Sequence, residues 1–146
     1  MTGDKAYLSF KMYTKITIYE YYSNVIIYWG DGNMSSRLKY KYTTGPISVS
    51  ENIDNIRVLL LNNGSKEHFA KVKILNLDQT PKTQVFSELF TICPDSETKT
   101  EFIPSFNAFE VQVLTDSPHV YIWVGGRSGN ENLVGNTVLH KELISF

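Results

Sequence analysis

Apolar and polar residues alternate with a period of two along most of this 146-residue chain, the mark of half-buried β-strands. The pattern is clearest over Phe109–Val124. Phe109, Val111 and Val113 face one way and Glu110 and Gln112 the other, and Asp116-Ser117-Pro118 turns the chain. Val120, Ile122 and Val124 then alternate with Tyr121 and Trp123, which predicts a hairpin whose second strand is central and covered on both faces.

The same period recurs upstream. Leu8, Phe10 and Met12, then Ile16 and Ile18, predict one long or two short strands within Met1–Tyr22. Asn24–Trp29 and Arg37–Thr43 flank Gly30-Asp31-Gly32-Asn33, residues that suit a tight hairpin turn. Short strands are expected at Ile47–Ser50, Ile56–Leu61, Ala70–Leu77 (Val72 and Ile74 inward, Lys71 and Lys73 outward), Val85–Ile92 and Thr98–Ile103. Loops are expected at Asp78–Lys82, Cys93–Glu97 and Gly125–Asn132, with apolar pairs Val138-Leu139 and Leu143-Ile144 closing the chain. Only Ser87–Phe90 and His140–Ile144 have room for a helical turn. About ten strands with turns every 8–12 residues predict an all-β fold, an antiparallel β-sandwich of jelly-roll type. Residues 1–22 read as an N-terminal arm or first strands, and residues 23–146 as a single sandwich body.

Composition narrows the function classes. A net charge of −1 provides no field to draw nucleic acid or an anionic membrane. Residues 1–45 carry six Lys/Arg against three Asp/Glu, and the remainder eight against twelve, an asymmetry compatible with head-to-tail contact between copies. Eight of the nine tyrosines precede residue 43. Arg37, Lys39 and Lys41 interleave with Leu38, Tyr40 and Tyr42 as on an edge strand, where lysines discourage pairing. There is no apolar block of signal-peptide or membrane-spanning length. The expectation is synthesis in the cytoplasm without a leader, with a spore or particle surface reached after lysis.

Candidate chemistry is sparse. Cys93, the single cysteine, excludes an intrachain disulfide; it reads as a small buried hydrophobe or as a thiol linking subunits. His68, His119 and His140 share no metal-ligand spacing, no serine sits in a nucleophile elbow, and the carboxylates scatter over turns and outward strand positions. Gly125-Gly126-Arg127-Ser128-Gly129-Asn130 precedes no helix that would hold a phosphate. The expectation is no enzyme, no cofactor and no metal.

Two stretches resemble known families. Tyr28-Trp29-Gly30-Asp31-Gly32, then Tyr42-Thr43-Thr44-Gly45 and Ile47-Ser48-Val49, is similar to the Trp-x-x-Gly-Asp-Gly and Tyr-x-x-x-Gly pattern of PKD-type β-sandwich modules, with Lys41 where that family has His. The arm, Asn62-Asn63-Gly64 after an apolar strand, Phe109–Val124 and the closing Val138-Leu139-His140-Lys141-Glu142-Leu143 resemble the small jelly-roll subunits of spore-forming bacilli, endospore-appendage proteins among them. Those subunits bridge neighbours through several cysteines, of which this chain has one. The second resemblance implies a structural, self-assembling subunit of a surface fibre, spore appendage or coat, polymerising by strand addition between copies of itself. Leu8, Phe10, Met12, Ile16 and Ile18 are the expected contact residues. Burying three such side chains stabilises by about 4.5–9 kcal/mol, of the order that ordering six or seven residues costs, so ladder hydrogen bonds must tip the balance. The alternatives are a non-catalytic protein- or carbohydrate-binding module, with Tyr19, Tyr21, Tyr22, Tyr28 and Trp29 as an aromatic platform, or a phage structural protein.

Overall fold

Two antiparallel sheets face each other across one apolar layer in the computed structural model, which describes residues 36–146. The chain divides into two units, 1–36 and 37–146, and the second is described here. The expected arm, the Asn24–Trp29 strand and its Gly-Asp-Gly turn lie outside the described residues. The strands are β1 (Tyr40–Thr43), β2 (Ile47–Ser48), β3 (Asn55–Asn62), β4 (His68–Asn76), β5 (Thr83–Ile92), β6 (Ser96–Phe102), β7 (Ala108–Thr115), β8 (Val120–Ser128), β9 (Glu131–Leu139) and β10 (Ile144–Ser145).

The first sheet runs β10-β1-β7-β4-β5, with β2 also on β7, and the second β6-β3-β8-β9. The pairs are nested: β4 with β5, outside it β3 with β6, and outside that β2 and β1 with β7. Such nesting is the ribbon wrap of a jelly roll, here with β9 in the outermost place beside β8. The expected all-β sandwich is the observed fold.

Alternation builds the core. Ile56, Val58 and Leu60 of β3 and Ala70, Val72 and Ile74 of β4 are fully buried, as are Val111 and Val113 of β7 and Val120, Ile122 and Val124 of β8. Each set comes from every second residue of its strand, which sends one face inward. Phe109, with no exposed surface, and Phe106 fill one end, their ring centroids 6.4 Å apart. Asn62, fully buried, closes the other. Its Nδ2 donates to the carbonyls of Lys66 (2.7 Å), Cys93 (3.1 Å) and Ile92 (3.2 Å), and its Oδ1 accepts from Gly64 N–H. One amide thus ties the end of β3 to the loop after it and to the turn between β5 and β6.

Several expectations are corrected. Phe109–Val124 is no hairpin: β7 pairs with β1, β2 and β4 in the first sheet, and β8 with β3 and β9 in the second. Asp116-Ser117-Pro118 carries the chain across the sandwich, so the two inward faces meet through the core, not edge to edge. β8 is central as expected, but its outer face is open, with Tyr121 exposed and Trp123 half-buried; an aromatic beside aliphatics reads as covered in sequence, yet rings tolerate a half-wet surface. Gly125–Asn132 is mostly strand, leaving only Gly129-Asn130 as the turn. Glycine is needed at 125 for room: a Cβ there would run into the six-membered ring of Trp123, which lies over the backbone.

Ser87–Phe90 belongs to β5, and the only helical turn in the closing stretch is the 3-10 turn His140–Glu142, started by Leu139 N–H donating to Glu142 Oε2 at 2.7 Å. Of the basic run only Lys41 lies in a strand, β1, which pairs with β7 on one side and, at Tyr42 and Thr43, with β10 on the other. Ser96 and Glu97 begin β6, so the turn expected at Cys93–Glu97 closes early, at Asp95 in the left-handed region (φ 47°). Cys93 is exposed, not buried.

Candidate functional site

Among the described residues the four sheet edges are unequal, and that inequality is the feature most suited to a partner. β6 alternates Glu97, Lys99 and Glu101 along its seven residues. β9 loses its ladder where residues 133–136 stand opposite Gly126 alone. β10 is two residues long. Charges, bulges and shortness are the ways sheets protect an edge.

β5 has none of these protections beyond one irregularity near its start. It is ten residues long, pairs among the described residues only with β4, and contains one ionisable residue, Glu88, with no Lys, Arg or Pro. The shift in pairing falls between Ile74 and Leu75 of β4, where Phe86 and then Gln84 stand opposite and Val85 is left over. From Phe86 to Ile92 the ladder is continuous. Phe86 and Phe90, half-buried, pack on the core and flank it along this margin, and Val85 is exposed. Next to it, β4 presents Lys71 and Lys73 outward, neither in an ion pair among the described residues.

The expected contact residues Leu8, Phe10, Met12, Ile16 and Ile18 lie outside the described residues, as do Tyr19, Tyr21, Tyr22, Tyr28 and Trp29. The Cys93 thiol is on the surface just past the end of β5. Sequence reasoning found β5 as a strand, but not as an edge. Its one signal was a long run with a single charge.

Three polar groups are held by neighbours without forming a catalytic set. Glu110, on the outward face of β7, is buried; it accepts from Thr43 Oγ1 (2.6 Å), Lys82 Nζ (2.6 Å) and Gln112 Nε2 (2.9 Å). Burial pushes its carboxyl pKa up, but those hydrogen bonds and the Lys82 charge outweigh it and hold the group below its ordinary value. His140 sits between Tyr42 and Tyr121, centroids at 5.3 and 5.6 Å, with Nδ1 accepting from Ile122 N–H at 3.3 Å. Burial pushes its pKa below 6.5. His68 Nδ1 lies 3.3 Å from Asp116 Oδ1, which also accepts from Phe69 N–H. Among the described residues no group of three or more His, Cys, Asp or Glu is placed to hold a metal, and no helix is long and apolar enough to cross a membrane.

Glu110 and His140 both make the fold acid-sensitive, and the sign is the same for each. With His140 held low, the unfolded chain takes up a proton near its ordinary 6.5 that the folded chain refuses. Stability is therefore complete above that value and falls as pH drops toward the folded pKa. Glu110 adds a second loss below its ordinary 4.5, as pH falls through its lowered folded value. Urea titrations across pH should show both declines, and His140→Asn, which keeps an acceptor but does not titrate, should remove the first.

No family model matches the chain, and no curated protein does. Among solved structures it is similar to Thermotoga maritima 1070, at 11% identity over 73% of this chain and 90% of that one, with a TM-score of 0.46. A likeness at that level transfers no function.

Proposed function

We propose that the protein is a structural subunit that assembles with copies of itself by β-strand addition, and that the β5 edge is where the added strand is accepted. The observation that supports this is the contrast between β5 and the other three edges: a ten-residue strand with one charge whose outer side has no partner strand among the described residues, beside strands that are charged, bulged or very short. An arriving strand supplies the missing ladder hydrogen bonds, and its inward side chains cover Phe86 and Phe90. The donor is the N-terminal segment of another copy, whose Leu8, Phe10 and Met12 alternate as a donated strand requires. A fibre, appendage or coat is the kind of object such head-to-tail addition builds, because a heterologous contact that does not close continues. The exposed Cys93 beside the edge is placed to lock such a contact by an intermolecular disulfide where the surroundings are oxidising.

Charging the edge is the test. Val85→Lys with Ser87→Lys leaves the core-facing residues of β5 in place and sets two cations where a partner strand would lie. Negative-stain microscopy and light scattering should find ordered polymers for the natural sequence and folded monomers for the double variant. Deleting residues 1–14 should give the same folded, monomeric product. The proposal fails if the natural protein remains monomeric at high concentration, or if the doubly charged edge polymerises as well as the original.

A further inference from the structure

The outer face of the second sheet carries a groove of about 330 Å3 that the assembly reading does not use, lined by Arg57, Leu59, Trp123 and Asn132. From it we infer a binding site for a neutral sugar, a pyranose ring stacked on the indole of Trp123.

The floor comes first. Trp123 stands between Leu59 of β3 and Leu139 of β9 in the register, and Gly125 is opposite Arg57. Because position 125 lacks a Cβ, the six-membered ring of Trp123 lies down on the backbone there. A half-buried indole laid on a sheet still offers a π surface, the shape that the axial C–H face of a pyranose covers.

The rim supplies hydrogen bonds without net charge. Arg57 is held by Glu101, Nε to Oε1 at 2.7 Å, with Nη2 on the same oxygen. That hydrogen bond, and behind it the charges of Arg57, Arg127 and Lys99, keeps the Glu101 carboxyl below its ordinary value, so the pair stays ionised and mutually neutralised. Arg57 Nη1, Glu101 Oε2 and the Asn132 amide make no hydrogen bond within the described residues. They leave donors and acceptors of both kinds beside the ring, as a ring of hydroxyls requires.

A separate observation comes from the same face. The two buried side-chain polar atoms without a partner among the described residues are Asn55 Oδ1 and Arg127 Nε, and Asn55 and Arg127 are directly opposite each other across β3 and β8. One is an acceptor and the other a donor. Both atoms are shielded from solvent, behind the groove and not in its lining, and Arg127 is itself opposite Asn132 at the groove.

The site does not depend on the assembly proposal, and its test is separable from it. Full-length protein is titrated calorimetrically with cellohexaose, mannohexaose, xylohexaose and chitohexaose, with a polygalacturonate oligomer as the charged comparison. At least one neutral sugar should bind with a Kd of about 0.1–1 mM, unchanged by added salt and retained by the Val85→Lys, Ser87→Lys variant. Trp123→Ala should weaken that binding by about ten-fold or more. Gly125→Ala, which lifts the ring off the backbone, should weaken it comparably while circular dichroism stays that of the folded protein. In a Trp29→Phe background, where Trp123 is the sole tryptophan, the sugar should shift the fluorescence. The inference is overturned if none of the neutral sugars gives heat or a fluorescence change, if Trp123→Ala binds them undiminished, or if only the acidic oligomer binds.

Discussion

Phe109→Ala is expected to lower the unfolding free energy by about 3–5 kcal/mol, the largest effect of any single core truncation in this fold. Phe109 has no exposed surface, pairs in register with Ile47 on one side and Asn76 on the other, and packs its ring beside Phe106. Its neighbours belong to strands fixed by their own ladders, so the space it leaves cannot collapse, and the lost transfer energy and the cavity add. Domains of this size are stable by about 5–15 kcal/mol in all, so the variant should be close to its folding threshold. Urea denaturation at neutral pH reads this directly. Phe109→Leu should recover most of the loss, because a smaller cavity remains. A Phe109→Ala variant within about 1 kcal/mol of the parent would mean that the two sheets are not packed through this ring.

Asn62→Ala should cost about 2–4 kcal/mol, nearly as much, although it removes no apolar packing. The loss arises from what is left behind. The Ile92 and Cys93 carbonyls, the Lys66 carbonyl and the Gly64 N–H all lose their side-chain partner at the end of the core, and a buried polar group without a partner costs about 1–3 kcal/mol. Asn62→Asp sharpens the test. It keeps the acceptor for Gly64 but turns a carboxylate oxygen toward three carbonyl oxygens, so it should destabilise at least as much as the alanine variant. If Asp were tolerated at neutral pH, the amide would not be oriented as described. Denaturation curves of the two variants decide this.

The strands themselves were legible because their periodicity is local. In β3, β4 and β7 every second residue is apolar, and those residues form the core. What alternation does not encode is which strand lies beside which. β7 and β8 read as a hairpin because three turn residues separate them. They part into opposite sheets, β7 pairing with β4 and β8 with β3. The same ignorance of strand order hid β5: Thr83–Ile92 looks like any half-buried strand until its free side is seen. In sequence Tyr121 and Trp123 read as covered because large rings beside valine and isoleucine usually are; the structure leaves Tyr121 exposed and Trp123 half-buried, its ring against the Gly125 backbone. The glycine and asparagine content of 125–132 suggested a loop, whereas those glycines admit a ring at 125 and Ile53 at 126.

The distribution of ladder partners along the chain also sets the order in which the fold can be made. β3 must find residues 120–127, and β1 must find 144 and 145. Neither sheet can be finished until the last quarter of the polypeptide has left the ribosome, and distant pairing of this kind makes folding slow. In the meantime β4 and β5, neighbours in sequence, can already zip together with apolar faces uncovered. During synthesis this half-built hairpin is the part of the nascent chain with the most reason to engage a chaperone.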